Sequence, residues 1–337
     1  MKSTVLSIFL SSLLFIACSM DNVSGDLDVK SWFRNMEFNY SDVSGIGYEK
    51  GCTRRDPSDV IKVGDKYYVY YTKVYGRAPG YWGTIWVAVS DDDGYNWTEI
   101  GEVLGLGKKG SWDSQATFTP NVIVHDGIVY LYYTGVQPTP TNEKGEFEDN
   151  SVNDYTALGV AMAENPEGPF IRSEKNPILT VSSDHNVFDS YRVDDAVLLK
   201  KEDSYWLYYK GRKYADGQSG PRHTEMGVAF AEKPEGPFVK HNKPILSKSH
   251  EVLVWPLGNG VAALASISST LEYAPDGLGF DESYSTKVEN RPNAPGLFRP
   301  ELTDSVKNNS APAWGISMVH NGSECYLKRW AFKKNNK

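Results

Sequence analysis

The chain has 337 residues, with 43 acidic against 35 basic side chains, a formal charge of −8, and 9 Trp, 21 Tyr and 13 Phe. An acidic balance offers no basic face to a phosphate backbone, which argues against nucleic acid as a partner, and 40% hydrophobic with 23% charged residues is a globular rather than a disordered composition. The length suits two or three ordinary domains or one large all-β domain, and an aromatic share of 13% needs an outlet in packing or in ligand binding.

At the start of the chain, Met1 and Lys2 precede an apolar run from Val5 to Ile16, followed by Ala17 and Cys18. A charged start, a short hydrophobic region and a small residue ahead of a cysteine read as an export signal with a lipobox-like Cys18 spanning residues 1–18. The run is short for a bilayer-spanning helix. The expected location is therefore the periplasm or outer membrane as a lipoprotein, with the lipid as the membrane contact, and plain secretion is the alternative. Residues 19–48 read as a polar tether without a clear period. Cys52 and Cys325 remain, either bridged across the mature chain or held as two separate buried thiols, and the second is the simpler expectation. No clustered Cys/His spacing supports a structural zinc site.

From Arg54 the sequence repeats. Lys66–Lys73 (KYYVYYTK), Ile128–Gly135 (IVYLYYTG) and Ser204–Gly211 (SYWLYYKG) are versions of one strand. Gly159–Phe170 (GVAMAENPEGPF) and Gly227–Phe238 (GVAFAEKPEGPF) follow two of them, and looser copies occur at Val87–Trp97 and Leu271–Phe280 with Asp-Gly at the turn. Each unit reads as a four-stranded meander with a period of roughly 60 to 75 residues, and helical periodicity is almost absent. Radial repetition of such units predicts one five-bladed β-propeller over residues 49–333, with a β-sandwich as the competing all-β architecture. Most of the tyrosines in the repeated middle strands are expected to pack blade on blade.

An acidic residue stands near the start of each of the first four units: Asp56, Asp113, Asp195 and Glu251. In a propeller the first strand of each blade lines the central channel, so these carboxylates are expected at one mouth. Converging carboxylates suit glycoside hydrolysis, which needs one ionised to activate water and one protonated for the leaving oxygen. The geometric condition is that Asp56 and either Glu251 or His250 line one pocket.

The segments RRDPSDVIKVGDKYYVYYTK, GYWGTIWVAVSDDDGYNW, FDSYRVDDAVLLKKEDSYWLYYKGR and SHEVLVWP stand in an order that resembles glycoside hydrolase family 117 across residues 50 to 332. The family consists of five-bladed propellers similar to the family 43 hydrolases. The resemblance implies an exo-acting, inverting enzyme releasing 3,6-anhydro-L-galactose or a related galactose-type sugar from algal oligosaccharides. It implies Asp56 as the general base, Asp195 as the carboxylate that positions and tunes the acid, and the acid function at His250 or Glu251. The choice between these two stays open, because neighbouring strand residues face opposite ways unless the backbone is bulged.

Substrate contacts are expected from Arg55, Asp113, Thr117 and Asp194 beside those positions, from the rings of Trp82, Trp112 and Trp255, and from Arg222 toward a hydroxyl or sulfate. The chain departs from the family in having Asp194 where a His usually precedes the second Asp, and Asp113-Ser114-Gln115 where an Arg follows paired acids. It also carries a polar insertion from Thr141 to Tyr155 and lacks an evident N-terminal helical segment of the kind that swaps between protomers. The oligosaccharide is the expected partner, no cofactor is required, a divalent cation stays open, and monomer and dimer stay open. The alternatives are a hydrolase for an arabinofuranose or anhydro-D-galactose terminus, and a carbohydrate-binding surface lipoprotein without catalysis.

Overall fold

A computed structural model describes residues 29–34, 36–76, 83–137, 155–299 and 313–334. The export segment with Cys18, Trp82, and residues 141–154 of the insertion lie outside the described residues.

The strands form five antiparallel sheets arranged as the blades of a propeller. Blade I runs from its inner edge through Cys52–Arg55 and Ile61–Val63, both paired with Lys66–Tyr75, then Thr84–Ser90 and Thr98–Leu104. Blade II begins with Ala116–His125 and continues with Ile128–Gln137, Tyr155–Ala163 and the short Ile171–Arg172. Blade III repeats this as Arg192–Lys201, Ser204–Arg212, Glu225–Ala231 and Val239–Lys240. Blade IV is Val254–Leu257, Gly260–Ala265, Thr270–Ala274 and Thr286–Lys287. Blade V is Asn293–Leu297, Trp314–Asn321, Glu324–Lys334 and, on its outside, Met36–Ser41 from the other end of the chain. The pairing of Met36–Ser41 with Glu324–Lys334, from Met36 opposite Lys334 to Ser41 opposite Arg329, closes the ring.

Residues 29–48 therefore differ from the expected tether. Val29–Arg34 is a short helix with Val29 and Phe33 buried, and Met36–Ser41 is a strand. The strand gives little signal because it is short and outermost: Met36, Phe38 and Tyr40 face the core in alternation with exposed Glu37, Asn39 and Ser41, but only Phe38 is fully buried. Middle strands show the opposite pattern. Seven consecutive residues of Lys66–Tyr75 are buried, because neighbouring blades cover both faces of the sheet, whereas the outer Thr98–Leu104 alternates.

The paired tyrosines of the three middle strands have distinct tasks. The first of each pair reaches the next blade: Tyr70 donates to the Pro166 carbonyl at 2.7 Å, Tyr132 to Pro234 at 2.6 Å, and Tyr208 to Gly277 at 3.1 Å. The second donates to a carboxylate of its own unit, Tyr71 to Glu99, Tyr133 to Asp113 and Tyr209 to Asp189. Each of these acids is also paired with a cation, respectively Lys73 and Arg54, Arg172, and Lys240. The receiving turns contain Gly168, Gly236 and Gly277 at φ +86°, +78° and +83°, a left-handed conformation open to glycine. The aromatic excess thus joins apolar packing to buried hydrogen bonds between blades. Cys52 and Cys325 are buried free thiols, as the simpler expectation had it.

Tyr132→Phe removes one latch and leaves the buried Pro234 carbonyl without its donor. It should lower stability by about 1–2 kcal/mol in chemical denaturation.

Candidate active site

The inner strands break their regular pairing at one level of the ring. Register shifts fall between Phe118 and Asn121, between Asp194 and Val197, and between Asn293 and Gly296, and in blade I the inner edge is split between Arg55 and Ile61. At these breaks Asp56, Thr119, Asp195 and Ala294 have φ of +47°, +44°, +52° and +38°. Non-glycine residues avoid this region, so four of them at equivalent points mark bulges that re-aim side chains toward the axis. Blade IV reaches the same result differently: the backbone amides of His250 and Glu251 both donate to Ser266 Oγ, at 2.9 and 3.0 Å.

These breaks surround an open pocket whose lining includes Asp56, Asp59, Thr119, Asn121, Asp195, Glu251 and Ala294. Asp56 and Glu251 thus line one pocket, with Asp195 between their blades, which meets the geometric condition set by the sequence. His250 is not among the lining residues.

Electrostatics separates the carboxylates. Burial pushes Asp195 up to about 7, reinforced by the charges of Asp194 and Asp56 and opposed by Lys210. Its backbone amide donates to Thr134 Oγ1 at 3.2 Å, and its Oδ2 accepts from the Val252 amide at 3.1 Å. Lys210 Nζ lies 3.2 Å from Asp194 Oδ1 and 4.0 Å from Asp195 Oδ2. Asp56 accepts a hydrogen bond from Arg55 Nε at 2.7 Å. Glu251 Oε2 is buried, makes no hydrogen bond to the described residues, and lies 3.6 Å from Arg291 Nη1. His250 is pushed down to about 2, first by burial and then by the positive charges of Lys210, Arg212, Arg192 and Arg291, so its imidazole is neutral at ordinary pH. Among the described residues no group of three or more His, Cys, Asp or Glu is arranged to hold a metal ion.

Asp59, which the sequence reading passed over, anchors this level. It is 1% exposed, accepts from the Leu297 amide of blade V and from Asn121 Nδ2 of blade II, and pairs with the buried Arg299. Asn121 Oδ1 in turn accepts from the Leu198 amide of blade III.

Several residues expected to touch substrate are placed elsewhere. Asp113 is buried against Arg172 and Tyr133 because it matches Asp189, not Asp195, in the repeat; the pocket position of blade II is Thr119. Trp112 packs over Gly135 and Gly159, as Phe188 does over Gly211 and Gly227. Trp255 is 2% exposed and belongs to the core beneath blades IV and V. Thr117 is fully buried and donates to the Leu104 carbonyl. Asp194 is buried as the partner of Lys210, and Arg222 is exposed in the connection 213–224. The signal that could have found Thr119 and Ala294 is the X-Pro string they share with Asp56: Asp56-Pro57, Thr119-Pro120, Ala294-Pro295. Lys210 was signalled by the third strand copy, Tyr-Tyr-Lys where the others have Tyr-Tyr-Thr.

The raised Asp195 gives a stability prediction. The native state holds this proton up to about 7, whereas an unfolded Asp releases it near 3.9, so stability falls as pH rises through that interval. Asp195→Asn, which avoids burying the charge, should be more stable than wild type at pH 8 by roughly 2–4 kcal/mol, and the gain should vanish below about pH 4 in denaturation measured across pH. Lys210→Thr restores the residue of the other copies and should move the Asp195 titration upward.

The model of glycosyl hydrolases family 43 matches residues 52–197. Among solved structures, the chain is similar to Zg3597, a family 117 glycoside hydrolase produced by the marine bacterium Zobellia galactanivorans, with 26% identity, a TM-score of 0.75, and coverage of 88% of this chain and 90% of that one. The endo-arabinase from Bacteroides thetaiotaomicron VPI-5482 matches at 13% identity and TM-score 0.54 over 87% of this chain and 99% of that one. Fructan 1-exohydrolase IIa from Cichorium intybus matches at 13% identity and TM-score 0.56 over 84% of this chain and 56% of that one. The last two share the fold alone. No curated protein matches the chain. With the five-bladed ring, the converging carboxylates and these similarities together, the chain is a glycoside hydrolase that resembles family 117 and shares the propeller of family 43.

Proposed function

We propose that the protein is an exo-acting, inverting hydrolase that releases a terminal 3,6-anhydro-L-galactose or related galactose-type sugar from algal oligosaccharides. The observation that carries this is the pocket at the axis in which Asp56, Asp195 and Glu251 meet. A pocket ringed by inner strands suits the end of a sugar chain better than its middle.

In this reading Asp56, oriented by Arg55, takes a proton from water as the water oxygen attacks the anomeric carbon. The glycosidic carbon–oxygen bond breaks on the opposite side, and the leaving oxygen takes a proton from Glu251. Glu251 is favoured over His250 as donor because it lines the pocket with a carboxyl oxygen that accepts no hydrogen bond from the described residues, whereas His250 is neutral and does not line the pocket. Asp195, fixed through Thr134 and Val252, sets the proton affinity of the site. The export signal and Cys18 would place this activity in the periplasm or at the outer membrane, on chains small enough to reach the mouth, and no step calls for a cofactor.

The test is incubation with agar, porphyran, carrageenan and arabinan oligosaccharides, identifying any monosaccharide released by chromatography. Asp56→Asn should lower kcat by about 10²–10⁴ with sugar binding retained. A wild-type rate in that variant removes Asp56 as base, and release from none of the panel removes the substrate assignment.

A further inference from the structure

The end of the ring at which the inner strands begin also carries the long connections between second and third strands, while the opposite end has tight hairpins such as Lys201 to Ser204. In blade III two such connections meet at the site end. His185 lies ahead of the inner strand, and Tyr214 follows the second strand, whose last residue Arg212 pairs with Arg192. The rings of His185 and Tyr214 are parallel, with centroids 4.1 Å apart and an interplanar angle of 7°. Tyr191 meets Tyr214 edge-on at 6.1 Å, and the Tyr214 amide donates to Ser190 Oγ at 3.0 Å. Tyr214 is nonetheless 54% exposed.

An aromatic ring backed on one face, fixed at its edge and open to solvent is prepared for a flat apolar partner, since little side-chain freedom is lost on binding. Its place identifies the partner. Tyr191 precedes Asp195 by four residues, at most about 13 Å of extended chain, and neither Tyr191 nor Tyr214 lines the pocket, so the platform stands on its approach. A chain whose terminal sugar occupies the pocket extends past this point. The carbon–hydrogen face of a sugar ring is the matching surface, and Asp216, two residues on in the same connection and within 3.8 Å of His223, offers polar atoms for hydroxyls.

We infer that Tyr214, backed by His185, is a binding platform for a galactose-containing sugar ring beyond the one adjoining the cleaved bond. This rests on the hydrolase reading above and extends it: the enzyme distinguishes longer chains from disaccharides by affinity. The sugar adjoining the bond lies nearer the pocket, so a disaccharide ends short of Tyr214.

The test compares neoagarobiose with neoagarohexaose as probes. Tyr214→Ala should raise KM for the hexasaccharide by about three- to tenfold, with kcat on both probes and KM for the disaccharide unchanged. Tyr214→Trp, which keeps an aromatic face, should retain the wild-type KM. An unchanged hexasaccharide KM in Tyr214→Ala, or an equal rise on both probes, overturns the platform while leaving the hydrolase reading intact. If the wild type neither cleaves the two probes nor binds them in calorimetry, the substrate reading and the platform both fall.

Discussion

At the axis of the ring the inner strands share no ladder with the next blade beyond the bridge between Val60 and Phe298, and most of their inward backbone amides must be taken up by something else. Side chains of neighbouring blades do this. Asp59 takes the Leu297 amide, Asn121 takes Leu198, and Asp195 takes Val252, so side-chain acceptors help join blades V and I, II and III, and III and IV. A threonine series works one layer out, with Thr72 receiving the Thr119 amide and Thr134 receiving that of Asp195. The inner strands converge because these polar side chains satisfy them, and the pocket is the space that this arrangement encloses.

Asp195 therefore belongs to two systems. It closes a structural hydrogen bond to blade IV, and it contributes a carboxyl to the pocket. Both hold it beside Asp194 and Asp56 with only part of its side chain open to solvent, and that desolvation is what drives its proton affinity up. Lys210 limits that rise. It occupies the position of Thr72 and Thr134, where those residues hold the next blade's backbone, but in blade III that task passes to Asp195 itself and to Ser266. One departure from the repeat thus adds a cation where the site has a surplus of acids.

Much of this was legible in the sequence. The Tyr-Tyr strands, the turn glycines and the spacing of units specify the ring, because each reflects local chemistry repeated on every blade. Asp56, Asp195 and Glu251 were found because acids at repeat starts are conspicuous. Asp113 misled for the same reason: it is an acid near a repeat start, yet it stands at the phase of Asp189, and the equivalent of Asp195 is the unassuming Thr119. Trp112 and Trp255 look like sugar platforms by type, but their neighbours are glycines and core apolar groups that only the folded ring assembles. Met36–Ser41 was missed because its alternation spans only six residues and its pairing partner is near the far end of the sequence.

That same strand sets the order of assembly. Blades I to IV are each made from one continuous stretch of chain, but blade V is stitched from both ends, and its seam cannot form until Glu324–Lys334 has been synthesised. Until then Met36–Ser41 waits as an unpaired edge, open to pairing with the wrong partner, and the ring stays open like an unclasped bracelet. Contacts of such sequence separation form slowly. A chain of this design is accordingly most exposed to aggregation just before its last strand arrives, and shortening either end of the seam would uncouple the whole wheel rather than fray one blade.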